Sequence, residues 1–236
     1  MKYNLYVLIF ISFIFISCKK ESTEKFSEKS AYELVNPFIG TGGHGHTFPG
    51  ATLPFGMVQL SPDTRLTGWD GCSGYHNSDS IIYGFSHTHL SGTGISDYGD
   101  ILLMPFNHSE KISIEDIENQ QLIPSEFKKE TESANPGYYK VHLYKPNIAV
   151  ELTATIRVGI HKYTFNKETD NKILLDLYHR DKVLSSEINI ENNSSISGFR
   201  QSEAWATNQD VYFYMEFSEP FLVDTIQNDS KKETEM

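Results

Sequence analysis

Apolar and polar residues alternate with a period of two along much of this chain, and this pattern decides which folds the chain can form. Between residues 148 and 160 the even positions are all apolar, whereas polar residues such as Glu151 and Thr153 occupy odd positions. A period of two places alternate side chains on opposite faces of a β-strand. The run extends to Phe165, and strands usually have fewer than about 10 residues, so we expect two strands or one bulged strand here.

Four shorter segments show the same alternation, at residues 139–143, 173–177, 188–190 and 211–217. They are separated by residues typical of turns, among them Pro136-Gly137 and Asn192-Asn193. No helical periodicity lies between these segments. Successive strands joined by turns pack as antiparallel layers. The sequence therefore predicts an all-β fold, an antiparallel β-sandwich with long Gly/His-rich loops.

The loops are predicted between residues 35 and 104, a stretch that is rich in Gly, Pro, His and aromatic residues. Five of the nine histidines occur here: His44, His46, His76, His87 and His89. Gly and Pro at this density require backbone conformations that regular strands do not use. We therefore expect site-forming loops in this stretch, carried by the later strands as a scaffold.

The histidine spacing admits a metal site. Two pairs of histidines are each separated by one residue, which suits two zinc ligands on one face of a strand. A zinc-binding hydrolase that uses this His cluster is therefore one alternative function, and hydrogen bonding within a crowded loop core is the other interpretation. The candidate ligands are the pairs His44 and His46 or His87 and His89, with Asp70 or Asp97 as a third ligand.

Trp69 and Asp70 form a second candidate site. An indole next to a carboxylate offers an apolar face for the C–H groups of a sugar and an acceptor for its hydroxyls. Burial of the indole in the sandwich is the alternative for these two residues taken alone. The formal net charge of -11 argues against a nucleic-acid partner, because neutralising phosphates requires a basic surface.

The N-terminus has the pattern of an exported protein. Residues 1–17 combine Lys2 with a short apolar run, which is typical of a signal peptide and too short for a comfortable membrane span. Cys18 follows directly and resembles the lipidated cysteine of bacterial lipoproteins. Residues 18–31 would then be the lipid anchor and a flexible, charged tether. We expect a lipid-anchored protein of the bacterial cell envelope, periplasmic or on the outer surface, with its folded domain at residues 32–236.

Longer strings in the chain resemble one known family. They are residues 36–65 (NPFIGTGGHGHTFPGATLPFGMVQLSPDTR), 68–76 (GWDGCSGYH), 83–94 (YGFSHTHLSGTG), 97–105 (DYGDILLMP) and 196–206 (ISGFRQSEAWA). Together they are similar to the N-terminal domain of glycoside hydrolase family 92, whose members are calcium-dependent exo-acting α-mannosidases. The similarity covers nearly all of the chain after the tether, so it is more specific than any single motif.

The resemblance implies a two-domain glycosidase in which this β-sandwich is the N-terminal half. In the family the general acid, the general base and most calcium ligands belong to a helical catalytic domain, which we expect to be absent from this chain. This chain alone would then be inactive and would hold no metal itself. Its partners would be a mannose-containing glycan, its own C-terminal helical domain and, through the lipid anchor, the membrane.

The function that the resemblance implies is hydrolysis of terminal α-linked mannose from glycans of the N-glycan or yeast mannan type, by calcium-assisted inversion. The sandwich would form one wall of the mannose pocket. A non-catalytic carbohydrate-binding lipoprotein module is the alternative. The expected sugar contacts are Trp69 and Asp70. The residues expected to shape the pocket or the domain interface are Arg65, Phe48, His44, His46, His87 and His89.

Overall fold

The computed structural model of this chain describes residues 29–107, 123–166 and 171–223. Contacts divide the chain into two compact units, Met1–Ala31 and Tyr32–Met236, and nearly all described residues belong to the second. The proposed signal peptide and Cys18 lie outside the described residues, so their assignment stays a prediction. Within the described ranges, no helix is long and apolar enough to cross a membrane.

The strands of the described residues form two main antiparallel sheets. The first contains β1 (Ala51–Thr52), β2 (Gln59–Asp63), β4 (Gly84–Ser86), β5 (Leu102–Phe106) and β11 (Lys172–Asp176), in the order β1-β2-β4-β5-β11. The second contains β7 (Ser133–Asn135), β8 (Tyr138–Leu143), β9 (Ile148–Ala154) and β10 (Gly159–Phe165), in the order β10-β9-β8-β7.

Two smaller sheets complete the described strands. A three-stranded antiparallel sheet consists of β12 (Lys182–Asn192), β13 (Ser195–Glu203) and β14 (Gln209–Glu216). A second pair joins β3 (Ile81–Ile82) to β6 (Ser125–Glu126). Helical structure in the described ranges is limited to α1 (Ala31–Leu34) and the 3₁₀ turns Trp69–Gly71 and Lys129–Thr131.

The hydrophobic core lies between the two main sheets. Their inward side chains are fully or almost fully buried and pack against one another, which removes the apolar face of each sheet from water. The sequence prediction of an all-β antiparallel sandwich is confirmed. The core residues of the two sheets include Leu60, Phe85, Leu102, Met104, Tyr139, Val141, Leu143, Ile148, Val150 and Leu152.

The alternation between residues 148 and 165 forms two strands, as predicted, but the apolar face does not continue through the turn between them. β9 buries its even residues, whereas β10 turns its odd residues inward, including His161 and Tyr163. Residues 155–158 reverse the chain, and Thr155 N–H donates to Val158 O at 2.8 Å. Because the reversal changes the face that points inward, Ile156, Val158 and Ile160 are about half exposed instead of buried.

Two other segments also depart from the predicted alternation. In β11, Leu174 packs against the core, while Ile173 is exposed. In β12, Ile188 and Ile190 are exposed although they alternate with polar residues. Period-two patterning identifies these strands correctly, but the layer that meets each face decides which residues are buried.

Candidate functional site

The Trp69–Gly71 turn presents an indole at the surface of the loop region. Gly68 precedes the turn with a φ of 87°, a backbone conformation that a residue with a side chain rarely adopts. The indole lies on Gly94, where an added Cβ would stand only 2.3 Å from Nε1 of Trp69. Trp69 nevertheless remains 57% exposed, so burial in the sandwich core is wrong for this residue.

Asp70 is held beside the indole by two histidines. His44 Nδ1 donates to Asp70 Oδ1 at 2.6 Å, and His46 Nε2 lies 3.6 Å from the same oxygen. The hydrogen bond from His44 lowers the pKa of Asp70 from its usual value. The carboxylate is therefore an ionised acceptor at neutral pH.

The same two histidines pack against the indole. The ring centroids of His46 and Trp69 are 4.3 Å apart in an edge-to-face arrangement, and those of His44 and Trp69 are 5.1 Å apart. Edge-to-face packing of this kind stabilises the position of a ring beyond what the burial of its surface contributes. Four of the predicted site residues thus converge, with His46 buried beneath the other three, and we call this group the Trp69 surface: Trp69, Asp70, His44 and His46.

Phe48 and His89 lie in a neighbouring cleft of about 510 Å³. Their ring centroids are 5.0 Å apart, and Gly92 N–H donates to His46 O at 2.7 Å, which joins a loop beside the cleft to the loop of the Trp69 surface. Phe55, on the rim of this cleft, is fully exposed at a φ of 61°. An aromatic cleft bordered by hydroxyl and amide groups is chemically suited to a second sugar ring.

His89 itself is buried below this cleft. Its Nδ1 donates to Gln59 O at 2.7 Å, and its Nε2 lies 3.1 Å from Ser86 Oγ and 3.5 Å from Asp63 Oδ1. Burial by itself raises the pKa of Asp63, but the charges of His89 and His179 hold that pKa well below its usual value. His89 therefore stabilises a buried carboxylate, and only its ring face reaches the cleft.

His87 is engaged in the interior rather than at the Trp69 surface. Tyr163 OH donates to His161 Nδ1 at 2.8 Å, the two histidine Nε2 atoms are 3.0 Å apart, and His87 Nδ1 donates to Ile101 O at 2.6 Å. Burial lowers the pKa of both imidazoles, so both are neutral. His87 thus links β10 to the loop after β4, and its part in shaping the pocket or the domain interface stays a prediction.

Arg65 pairs with Asp79 instead of facing the indole. Arg65 Nη2 lies 2.5 Å from Asp79 Oδ1 and Nε lies 3.2 Å from Oδ2, a two-point contact. Its aliphatic stem packs against Gly71, directly below the Trp69 turn. Arg65 thus supports the turn, and its charged end lines a separate polar cleft of about 590 Å³.

The two histidine pairs do not form one metal site. His44 and His46 face Asp70, whereas His87 and His89 point to different partners in the interior. Among the described residues, no group of three or more His, Cys, Asp or Glu side chains is arranged to hold a metal ion. Calcium requires six to eight oxygen ligands. The described residues therefore fit neither zinc nor calcium.

The acidic residues near the loops have separate roles. Asp97 accepts the backbone N–H groups of Trp205 and Ala206 at 2.9 and 3.0 Å, and it is buried. Asp100, also buried, pairs with Arg200. Of Asp70, Asp97 and Asp100, only Asp70 is partly exposed, and it follows the exposed Trp69 directly in the sequence.

Sequence reasoning missed the groups that support the Trp69 surface from below. Gly94 lies under the indole, and Arg180 donates to the carbonyl oxygen of Gly71 at 3.2 Å. The sequence carries a signal for Arg180, because His179, Arg180 and Asp181 are three consecutive charged or titratable residues shortly after β11 ends. Their connection to Trp69 spans more than 100 residues, so local patterns do not reveal it.

The chain is similar to a curated protein that is named a glycosidase. It is 32% identical over 162 residues to a protein of Arthroderma benhamiae called "Uncharacterized secreted glycosidase", an overlap of 64% of this chain and 20% of that protein. More narrowly, residues 34–236 match the family described as "Glycosyl hydrolase family 92 N-terminal domain". The chain belongs to this family, and the predicted resemblance is confirmed.

Solved structures of the family share the fold. The α-mannosidase BT3965 from Bacteroides thetaiotaomicron, solved in complex with mannoimidazole, is 36% identical with a TM-score of 0.72, covering 79% of this chain and 25% of that chain. The inverting mannosidase BT2199 from Bacteroides thetaiotaomicron VPI-5482 is 29% identical with a TM-score of 0.66, covering 81% and 26%. This chain thus spans about a quarter of the length of these solved relatives and a fifth of the curated one.

Proposed function

We propose that this chain is the N-terminal part of an exo-acting α-mannosidase that hydrolyses terminal α-linked mannose from N-glycan or yeast mannan type glycans. The Trp69 surface would form one wall of the mannose pocket. The observation that carries the proposal is the exposed indole of Trp69 beside the ionised Asp70, which together offer an apolar platform and a hydroxyl acceptor. The mannosidase activity of the solved relatives supports the substrate class.

The proposal divides the reaction between two domains. Calcium-assisted inversion uses one carboxyl group as acid and a second as base, about 6.5–9.5 Å apart. Asp70 alone does not provide such a pair, and its role here is to accept hydroxyl hydrogen bonds from the sugar. The acid, the base and the calcium ligands are therefore assigned to a C-terminal helical domain like that of longer family members, and the sandwich would complete the pocket against it.

The isolated chain is expected to bind mannosides without hydrolysing them. Titration with α-linked mannobiose, followed by NMR, measures binding, and release of free mannose measures turnover with and without calcium. Maltose, which contains only glucose, is the matched control ligand. Calcium-dependent mannose release by this chain would refute the division between domains, and equal affinity for maltose would refute recognition of mannose.

A carbohydrate-binding module without catalysis is the second candidate, because the Trp69 surface combines an indole with a single neighbouring carboxylate. Adding the C-terminal part of a family 92 mannosidase to this chain separates the two functions. Recovered turnover supports the enzyme, whereas continued binding without turnover supports the module.

We also propose that the chain is lipid-anchored at Cys18 in the bacterial cell envelope, on the periplasmic side or the outer surface. The apolar run before Cys18 supports lipidation, and the secreted relative supports export. Metabolic labelling with a fatty-acid analogue is expected to mark the wild-type protein and not Cys18→Ser. Recovery of both proteins unlabelled in the soluble fraction would contradict the anchor.

A further inference from the structure

Arg180 is a buried arginine whose side chain contacts both segments that hold Trp69. Its side chain is only 4% exposed. Nη2 donates to Gly71 O at 3.2 Å, at the end of the Trp69 turn, and to Ser96 Oγ in the loop that follows Gly94. Gly94 is the residue on which the indole lies. One guanidinium group therefore joins the turn that carries the indole to the loop beneath it.

Arg180 is itself fixed on three sides. Arg200 donates to its carbonyl oxygen, and its Nη1 lies 3.9 Å from Asp63 Oδ1. Its aliphatic stem occupies the space above Gly99, where an added Cβ would stand 2.5 Å from Cδ of Arg180. Because this side chain is fixed, the two loops that it contacts are held in place relative to the core.

Neutralising the charge of Asp63 does not by itself explain why residue 180 is an arginine. His89 and His179 each lie 3.5 Å from an oxygen of Asp63, closer than the 3.9 Å that separates Nη1 of Arg180 from that carboxylate. The contacts to Gly71 and Ser96 are the shorter ones that Arg180 makes. Nη2 makes both of these contacts while Nη1 of the same planar group faces Asp63, and the compact ammonium of lysine does not reproduce this fork.

We infer that Arg180 is a positioning residue for the sugar-binding surface: it holds the indole of Trp69 at a fixed height and angle by binding the turn and the supporting loop together. The effect of Arg180 on sugar binding rests on the proposed function. The geometric part, the immobilisation of Trp69 by Arg180, is measurable without any sugar.

The first measurement uses Trp69 as its own probe. The chain has two tryptophans, so Trp205→Phe leaves Trp69 as the single indole. In this background Arg180→Lys and Arg180→Met are expected to raise acrylamide quenching of Trp69 by about 1.5-fold and to lower its fluorescence anisotropy, because the indole leaves its support. Ser96→Ala removes one of the two contacts without removing the buried charge and is expected to have a smaller effect in the same direction.

Leu152→Ala is the control for general destabilisation, since Leu152 is buried in β9 and belongs to the core between the main sheets. It is expected to lower the melting temperature and to leave quenching of Trp69 unchanged in the folded protein. If Arg180→Met does not fold, Arg180→Lys and Ser96→Ala decide the question. Unchanged quenching and anisotropy in those two variants, or the same increase in Leu152→Ala, would overturn the positioning role.

The second measurement separates this inference from the proposed function. Arg180→Lys is expected to weaken binding of α-linked mannobiose about fivefold to tenfold, and Trp69→Ala by at least as much. If quenching rises in Arg180→Lys while Trp69→Ala binds mannobiose normally, the positioning role stands and the sugar wall is refuted. If Trp69→Ala loses binding and Arg180→Lys keeps both normal quenching and normal affinity, the sugar wall stands and the positioning role is refuted.

Discussion

Replacing Arg200 with Met is expected to lower the free energy of unfolding by about 3–5 kcal/mol, the cost of breaking a buried ion pair from one side. Arg200 is 1% exposed, pairs with Asp100 and donates to Leu177 O at 2.7 Å. The substitution keeps much of the side-chain volume but leaves the Asp100 carboxylate buried without its cation. Thr88 Oγ1 and Gln209 Nε2, at 2.6 and 2.9 Å from Asp100 Oδ2, remain as neutral donors and offset only part of this cost.

Urea denaturation followed by circular dichroism measures the change, and Arg157→Met is the matched control. Arg157 is exposed in the β9–β10 turn, so the same chemical change there is expected to alter stability by less than about 0.5 kcal/mol. Adding Asp100→Leu to Arg200→Met is expected to recover part of the loss, because it removes the unpaired charge. A double variant less stable than Arg200→Met would show that lost packing, not the orphaned carboxylate, causes the effect.

The strands of this protein could be predicted from sequence because their signal is local. In β8 and β9 each apolar residue of one parity is buried, since one face of the sheet meets the other main sheet and the opposite face does not. Exposure of Ile188 and Ile190 in β12 could not be predicted, because it depends on which layer covers that face. The alternation of apolar and polar residues predicts a strand, whereas the layers that pack on the strand determine which face is buried.

The candidate site was predictable to the extent that its residues are close in sequence or share one loop system. Trp69 and Asp70 are adjacent, and His44 and His46 contact them from the same Gly-rich stretch. His87, by contrast, finds its partner His161 some 74 residues away on β10. Residue type and spacing do not distinguish a histidine that faces a ligand from one that completes a buried hydrogen-bond chain. That distinction depends on tertiary contacts.

Replacing Trp69 with Ala is expected to weaken binding of α-linked mannobiose at least about tenfold, because stacking and desolvation of an indole contribute on the order of 1–3 kcal/mol. The indole is more than half exposed, so its removal leaves no closed cavity. The free energy of unfolding is therefore expected to fall by less than about 1 kcal/mol, against about 3–5 kcal/mol for a buried tryptophan. NMR titration and urea denaturation of the same variant measure the two quantities.

Trp205→Ala is the matched control, since Trp205 is the second exposed tryptophan, at 76%, and the carboxylate that its backbone N–H contacts, Asp97, is buried. It is expected to leave mannobiose affinity within about twofold of the wild-type value. Loss of affinity in Trp69→Ala together with retained stability and a normal Trp205→Ala supports the sugar wall. An equal loss in both variants would mean that exposed indoles bind the sugar without specificity, and no loss in Trp69→Ala would remove the Trp69 surface from the mannose pocket altogether.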